Sequence, residues 1–159
     1  MNATASTSTF SDPPRWMEFA LKIVNPPLVA LQRLGLAIGP AWLLTIPGRK
    51  SGKLRTTPVA PLQVGGERYL LAVYEETDWV ANARAAGWGI LARGRKAENV
   101  SLTELPLVAR TEVLRSLPSQ APQAAGFIKQ RFGIAYEPDQ TAALADKCRV
   151  FRIGPAPAA

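Results

Sequence analysis

The sequence predicts an antiparallel α+β domain compatible with a small barrel, and three observations carry that expectation. Segments run in the order helices, short strands interrupted by one helix, more helices, then a closing strand. Gly65-Gly66 between two extended segments is a hairpin signal. The regular strand-helix alternation of a doubly wound sheet is missing. At 159 residues, 47% of them hydrophobic and 19% charged, the chain suits one domain with a core of its own.

The elements follow in order. Residues 1–14, "MNATASTSTFSDPP", are polar and small, with no basic start and no apolar centre. They read as a disordered leader and not as a signal peptide. Residues 15–24, "RWMEFALKIV", are helical: Arg15, Glu18 and Lys22 fall on one face, and Trp16, Phe19, Ala20, Ile23 and Val24 fill much of the rest. Asn25-Pro26-Pro27 ends the helix. "LVALQRLGLAIG" is a second short apolar helix. The uncharged run from Leu34 to Gly48 is broken by Gly35, Gly39 and Pro40 and is too short for a membrane-spanning helix, which needs roughly 20 residues. "PAWLLTIP" (40–47) reads as a strand, "RTTPVAPLQV" as an extended edge with two prolines, and "ERYLLAVY" as a strand after the glycine turn.

The period then changes. Thr77 is placed as an N-cap with Asp78 in the first turn, and "DWVANARAAG" is a helix stopped by Gly87. "GILARGR" and "ENVSLTEL" are strands turning near Lys96. Helices are expected over 107–117, 121–132 and 138–147, punctuated by Pro118, Pro122 and Pro138. "CRVFRIG" closes the fold. Residues 15–154 form the single domain, and 155–159 form a frayed tail.

Absences narrow the chemistry. The chain has no histidine, which excludes serine-histidine catalysis and imidazole metal sites. Cys148 is its one cysteine, so no disulfide framework or thiolate cluster is possible, and a buried structural thiol is expected. Acidic residues are scattered apart from "YEETD", and no metal site stands out. Net charge is +7, which favours anionic partners. Any chemistry then belongs to a bound organic cofactor.

"PGRKSGKLRTTP" (47–58) places Arg49, Lys50, Lys53 and Arg55 within seven residues. The turn joins two predicted strands, so its side chains project from one rim. Arginine grips phosphate or carboxylate in a fork, and lysine adds a point charge. Glycines let backbone amides approach an anion, and Ser51, Thr56 and Thr57 add hydroxyls. The glycine spacing is not that of a P-loop. Charge alone leaves a solvated hairpin equally open. Aromatics are not interleaved with the basic cluster, which argues against nucleic acid as the partner.

"LLTIPGRKSGKLRTTPV", followed by "GGERYLLAVYEETDWVANARAAGWGILARGR", resembles the deazaflavin-dependent nitroreductase family. The resemblance covers roughly residues 40–105, and its ordered set is G-R-K-S-G, R-T-T-P, a strand, then W-x-x-N-x-R-A. It implies a split β-barrel of the antiparallel, FMN-binding-like kind with flanking helices, binding the deazaflavin coenzyme F420. It implies that Arg49, Lys50, Ser51, Arg55, Thr56, Thr57 and Pro58 hold the cofactor's phosphate and oligoglutamate tail. It places Ala72, Val73, Tyr74 and Glu75 near the ring, and Trp79 and Asn82 on the helix that approaches it. Many members carry a longer Gly-Gly loop where this chain has the short "YEETDW", so flavin mononucleotide stands as the alternative cofactor.

Bland roles stay open beside these. Trp79 can pack in the core, Asn82 can lie on the surface, and Tyr74 can merely pack. Tyr136 is similar in placement to tyrosines lining the family's substrate pocket, and with Tyr74 it is a candidate catalytic proton donor. Arg84, Arg93, Arg95 and Lys96 read as solvated charges around a helix end and a hairpin.

The expected activity is an F420-dependent reductase passing a hydride to a quinone, a nitro compound or an activated C=C bond. The rivals are an FMN-dependent reductase on the same fold and a non-catalytic F420-binding protein. Expected partners are the anionic cofactor and a small hydrophobic or lipid-soluble acceptor, quinone or unsaturated fatty chain, with the protein a monomer or homodimer. A cytoplasmic location is expected. The helix over 15–24 serves either as a lid on the cofactor groove or as a peripheral membrane contact.

Overall fold

A computed structural model describes residues 41–74 and 77–156. The leader, both helices expected before residue 40, and Glu75 lie outside the described residues. Seven strands are seen: β1 (Trp42–Pro47), β2 (Leu54–Val59), β3 (Leu62–Val64), β4 (Glu67–Ala72), β5 (Trp88–Arg93), β6 (Lys96–Glu104) and β7 (Arg149–Pro155). Four helices join them: α1 (Asp78–Ala86), α2 (Leu107–Gln120), α3 (Pro122–Phe132) and α4 (Pro138–Lys147).

The strands form one antiparallel sheet in the order β2-β1-β5-β6-β7-β4-β3. β2 and β3 sit at opposite edges, yet only Ala60 and Pro61 separate them. Three Cα steps reach at most about 11 Å. The two edges must therefore approach each other at that corner, and the sheet curls into a split β-barrel. The stretch expected as one extended segment is in fact two strands, because Pro61 and the curl turn the chain between them. Pro58 lies on an edge strand, where its missing N–H breaks no central ladder. Gly65 and Gly66 both have positive φ, the type I′ signature that a two-residue hairpin prefers.

Alternation along the strands sorts side chains into two cores. Leu70, Ala72, Phe151 and Ile153 point into the barrel with Leu44, Ile46, Leu91 and Val100. Leu71, Val73 and Val150 point outward against Leu114, Leu117, Ile128 and Leu144 of the helices. Cys148 is fully buried in this second core, and burial pushes its thiol up to about 12.

One helix end departs from expectation. α2 continues past Pro118 to Gln120. Proline removes one backbone hydrogen bond near the helix end. Leu114 and Leu117, both fully buried, hold the last turn, and the Ala121 N–H still reaches the Leu117 carbonyl at 2.8 Å. Arg68 of β4 and Glu98 of β6 form a two-bond ion pair. β7 runs to Pro155, which pairs with Val100. No described helix is long and apolar enough to cross a membrane.

Candidate functional site

Antiparallel pairing gathers several chain segments at one end of the barrel: the β1–β2 turn, the exit of β4, α1, the end of β6 and the start of β7. α1 covers this end and packs on β1, β5 and β6. Its start at Thr77 is in extended geometry, as an N-cap requires, but the hydroxyl makes no capping bond and is buried without a described partner. Gly87 ends it in the left-handed conformation, donating to the Ala83 carbonyl at 2.8 Å.

The basic turn is a closed backbone loop. The Gly48 N–H donates to the Lys53 carbonyl and the Gly52 N–H to the Gly48 carbonyl, each at 2.8 Å. A Cβ on Gly48 would stand 3.2 Å from the Lys53 oxygen, so this close return favours glycine. Ser51 Oγ accepts from the Lys53 N–H at 3.3 Å. The amides of Lys50 and Ser51 have no acceptor among the described residues.

The turn is fastened to α1 by one residue. Asn82 is 5% exposed, and its Oδ1 accepts from both the backbone N–H and the Nη1 of Arg49, each at 3.1 Å. Arg49 Nη1 also pairs with Asp78 Oδ1 at 3.1 Å. Asn82 is therefore neither a surface residue nor idle packing. A polar residue on a helix face otherwise carrying Trp79, Ala83 and Ala86 was the available signal for this role. The Asp78 pairing had no signal beyond first-turn acidity.

The cations then divide. Arg49 is spent largely on Asp78 and Asn82. Lys50, Lys53 and Arg55 are exposed and make no ion pair with a described residue. Thr56 and Thr45 hydroxyls meet at 2.9 Å across β1 and β2, while Thr57 and Pro58 are half-buried along β2. Ala72 is buried in the barrel core, Val73 packs toward the helices, and Tyr74 is half-buried just past β4. Trp79 tilts against Phe151 with ring centroids 5.6 Å apart, so core packing occupies at least one of its faces.

Tyr136 is on the helical side of the sheet, near Cys148. It packs on the helical core, has a positive φ of 59°, and donates its hydroxyl to the Ala125 carbonyl at 3.2 Å. Burial pushes its phenol up to about 12. The second basic set is also dispersed. Arg84 makes two bonds to Glu104, Arg93 lies over the Trp42 ring at 5.8 Å, and Arg95 and Lys96 are exposed at a hairpin. No group of three potential metal ligands occurs among the described residues.

Three unpaired cations around two open amides suit the phosphate and carboxylates of an anionic cofactor. The family described as F420H(2)-dependent quinone reductase matches residues 30–121 of the chain. No curated protein matches it. Among solved structures, one described as a domain-swapped dimer is 18% identical over 86% of this chain and 98% of that chain, with a TM-score of 0.51. The F420-H2 dependent reductase FDR-A is 20% identical over 72% and 93%, with a TM-score of 0.45. HutZ, the heme storage protein from Vibrio cholerae, is 10% identical over 84% and 90%, with a TM-score of 0.44.

Proposed function

The chain belongs to the F420H(2)-dependent quinone reductase family, and on that premise we propose how its own residues serve the reduction. It is an F420-dependent reductase. The reduced deazaflavin, when bound, supplies a hydride for an electron-poor acceptor. The protein's task is then to bind, orient and exclude water, with reacting atoms held about 3 to 3.5 Å apart.

Lys50, Lys53 and Arg55, which pair with no described protein carboxylate, take the cofactor's phosphate and carboxylate tail. The amides of Lys50 and Ser51 add neutral donors, and Thr56, Thr57 and Pro58 border the same rim. Arg49 and Asn82 hold the turn against α1. Ala72 and Val73 contribute backbone near the ring, and Trp79 supports it from the core side. Tyr74 donates a hydrogen bond to the acceptor oxygen as charge develops there. Tyr136 donates to the Ala125 carbonyl within the helical core, whereas Tyr74 follows β4 at the end of the barrel that carries the turn, and on that placement Tyr74 is the preferred proton donor.

The acceptor is a quinone, and nitro compounds or activated C=C bonds fit the same hydride chemistry. Flavin mononucleotide finds no support in the family. A homodimer is the proposed assembly, as described for one structural relative. The proposed location is the cytoplasm, with peripheral contact at the membrane through the helix expected over 15–24.

The observation that carries this reading is the fastened turn with its three unpaired cations. The test is an anaerobic titration with coenzyme F420 and with flavin mononucleotide, followed by addition of a soluble benzoquinone to the reduced complex. Binding of F420 alone, and its oxidation on adding quinone, are the expected results. Retention of flavin mononucleotide in preference to F420 would refute the cofactor assignment. A bound cofactor that stays reduced in the presence of quinone would leave a binding protein without turnover.

A further inference from the structure

A hollow of about 510 Å³ opens at the head of α2, lined by Arg84, Glu104, Pro106, Leu107, Arg110 and Arg149 among others. None of its lining residues belongs to the basic turn. Three guanidiniums surround one carboxylate, an excess of two positive charges. Arg84 takes both Glu104 oxygens, at 2.6 and 2.9 Å. Arg149 stands 3.5 Å from Glu104 and also donates to the carbonyls of Asp146 and Cys148. Arg110 differs from both. It is only 9% exposed, and its Nε is buried with no hydrogen-bond partner among the described residues.

A buried guanidinium N–H without an acceptor is costly, even though, beside the Arg84 hydrogen bond, the Arg110 charge lies close enough to Glu104 to help hold its carboxyl below the usual range. If Arg110 were there only to brace Glu104, its Nε would donate to that carboxylate. Arg84 occupies it instead.

The helix end points the same way. α2 is capped by Pro106, which offers no side-chain acceptor, and its first turn holds no acidic residue. The amides of Leu107, Val108 and Ala109 therefore lack an intrahelical acceptor, at the positive end of a 14-residue helix. Oriented amides beside arginines form an anion site.

We propose that this hollow is a second anion-binding site, in which buried Arg110 with its unbonded Nε, Arg84 and the uncapped start of α2 take a small oxyanion, a carboxylate or a phosphate. It lies at the same end of the barrel as the cofactor turn but shares no lining residue with it, so its ligand is a further small molecule or the anionic part of one.

The test uses the ¹⁵N-labelled full chain, titrated at constant ionic strength with inorganic phosphate in one arm and succinate in the other. The amide signals of Leu107 and Val108 should shift and saturate with at least one ion, and the tighter arm identifies the oxyanion class. Arg110→Met keeps the buried volume and should weaken binding at least about tenfold, the weight of a charge-assisted hydrogen bond. Arg84→Gln, at an exposed position, should weaken it about threefold. The pair Lys50→Ala and Arg55→Ala should leave it unchanged. Non-saturating shifts in both arms would overturn the proposal. So would saturation that neither Arg110→Met nor Arg84→Gln alters, or that disappears when Lys50 and Arg55 are removed. If Arg110→Met does not fold, an unchanged affinity in Arg84→Gln is itself sufficient refutation.

Discussion

Replacing Asn82 by alanine removes the acceptor that fastens the basic turn. Two donors lose their partner, the Arg49 backbone N–H and its Nη1, both at 3.1 Å. The amide bond is worth about 1 kcal/mol, and the charged bond more in isolation. The Arg49 side chain is 34% exposed, so water recovers part of the second. The net cost is roughly 2 kcal/mol, which lowers the melting temperature by about 4 to 8 °C for a domain of this size. Asp78 contacts the same guanidinium, but its side chain is 90% exposed. Asp78→Asn should cost no more than about 0.5 kcal/mol. Urea unfolding of wild type and both variants, with F420 titration alongside, separates the two residues. A released turn should also bind cofactor more weakly. If Asn82→Ala and Asp78→Asn lose equal stability, or Asn82→Ala loses less than about 0.5 kcal/mol, Asn82 is not the fastener.

Four other expectations are open to measurement. Lys50→Ala with Arg55→Ala should weaken F420 binding at least about tenfold, about 1.4 kcal/mol, and flatten its salt dependence, both readable from fluorescence titration. Tyr74→Phe should lower kcat with quinone more than it lowers cofactor affinity, and equal kcat would assign Tyr74 to packing. Gly154→Ala would put a Cβ 2.5 Å from Ser101 Oγ, so it should destabilise the β6–β7 pair, and Ser101→Ala in the same chain should restore the melting temperature. Burial raises Cys148 and Tyr136 to about 12, so the folded state holds those protons after the unfolded chain has released them. Stability from these groups is complete below about pH 8.5 and is lost as pH rises toward 12. Cys148→Ala should make that alkaline decline shallower in denaturation curves.

Much of the fold was legible because its signals are local. The glycine pair marked one hairpin, Gly87 ended α1, and "ERYLLAVY" and "CRVFRIG" read as the strands that become β4 and β7. The curl was not legible, since Ala60-Pro61 reads the same whether the flanking strands are neighbours or opposite edges. Pro118 was read as a stop because proline's penalty is local, whereas the burial of Leu114 and Leu117 that offsets it is tertiary. At the site, the cluster of charge from Arg49 to Arg55 was plain. The sorting of those charges was not: Arg49 finds Asn82 across 33 residues, and no spacing rule reaches that far. The Arg110 hollow was missed for the same reason, because Arg84, Glu104, Arg110 and Arg149 share no local pattern and meet only where four chain segments end.

The last of the described strands stands inside the sheet. β7 is the sole ladder between β6 and β4, so it divides the barrel into a four-stranded part and a two-stranded part. While the ribosome still holds residues 149–155, the hairpin of β3 and β4 has no partner but itself, and a lone hairpin is at best marginally stable. The basic turn belongs to one part and Tyr74 to the other. Residues 149–155 must therefore be in place before the two halves of the candidate site can face each other. A nascent chain halted before residue 149 would display an incomplete sheet with two open edges, a surface that chaperones recognise and that other nascent chains can join.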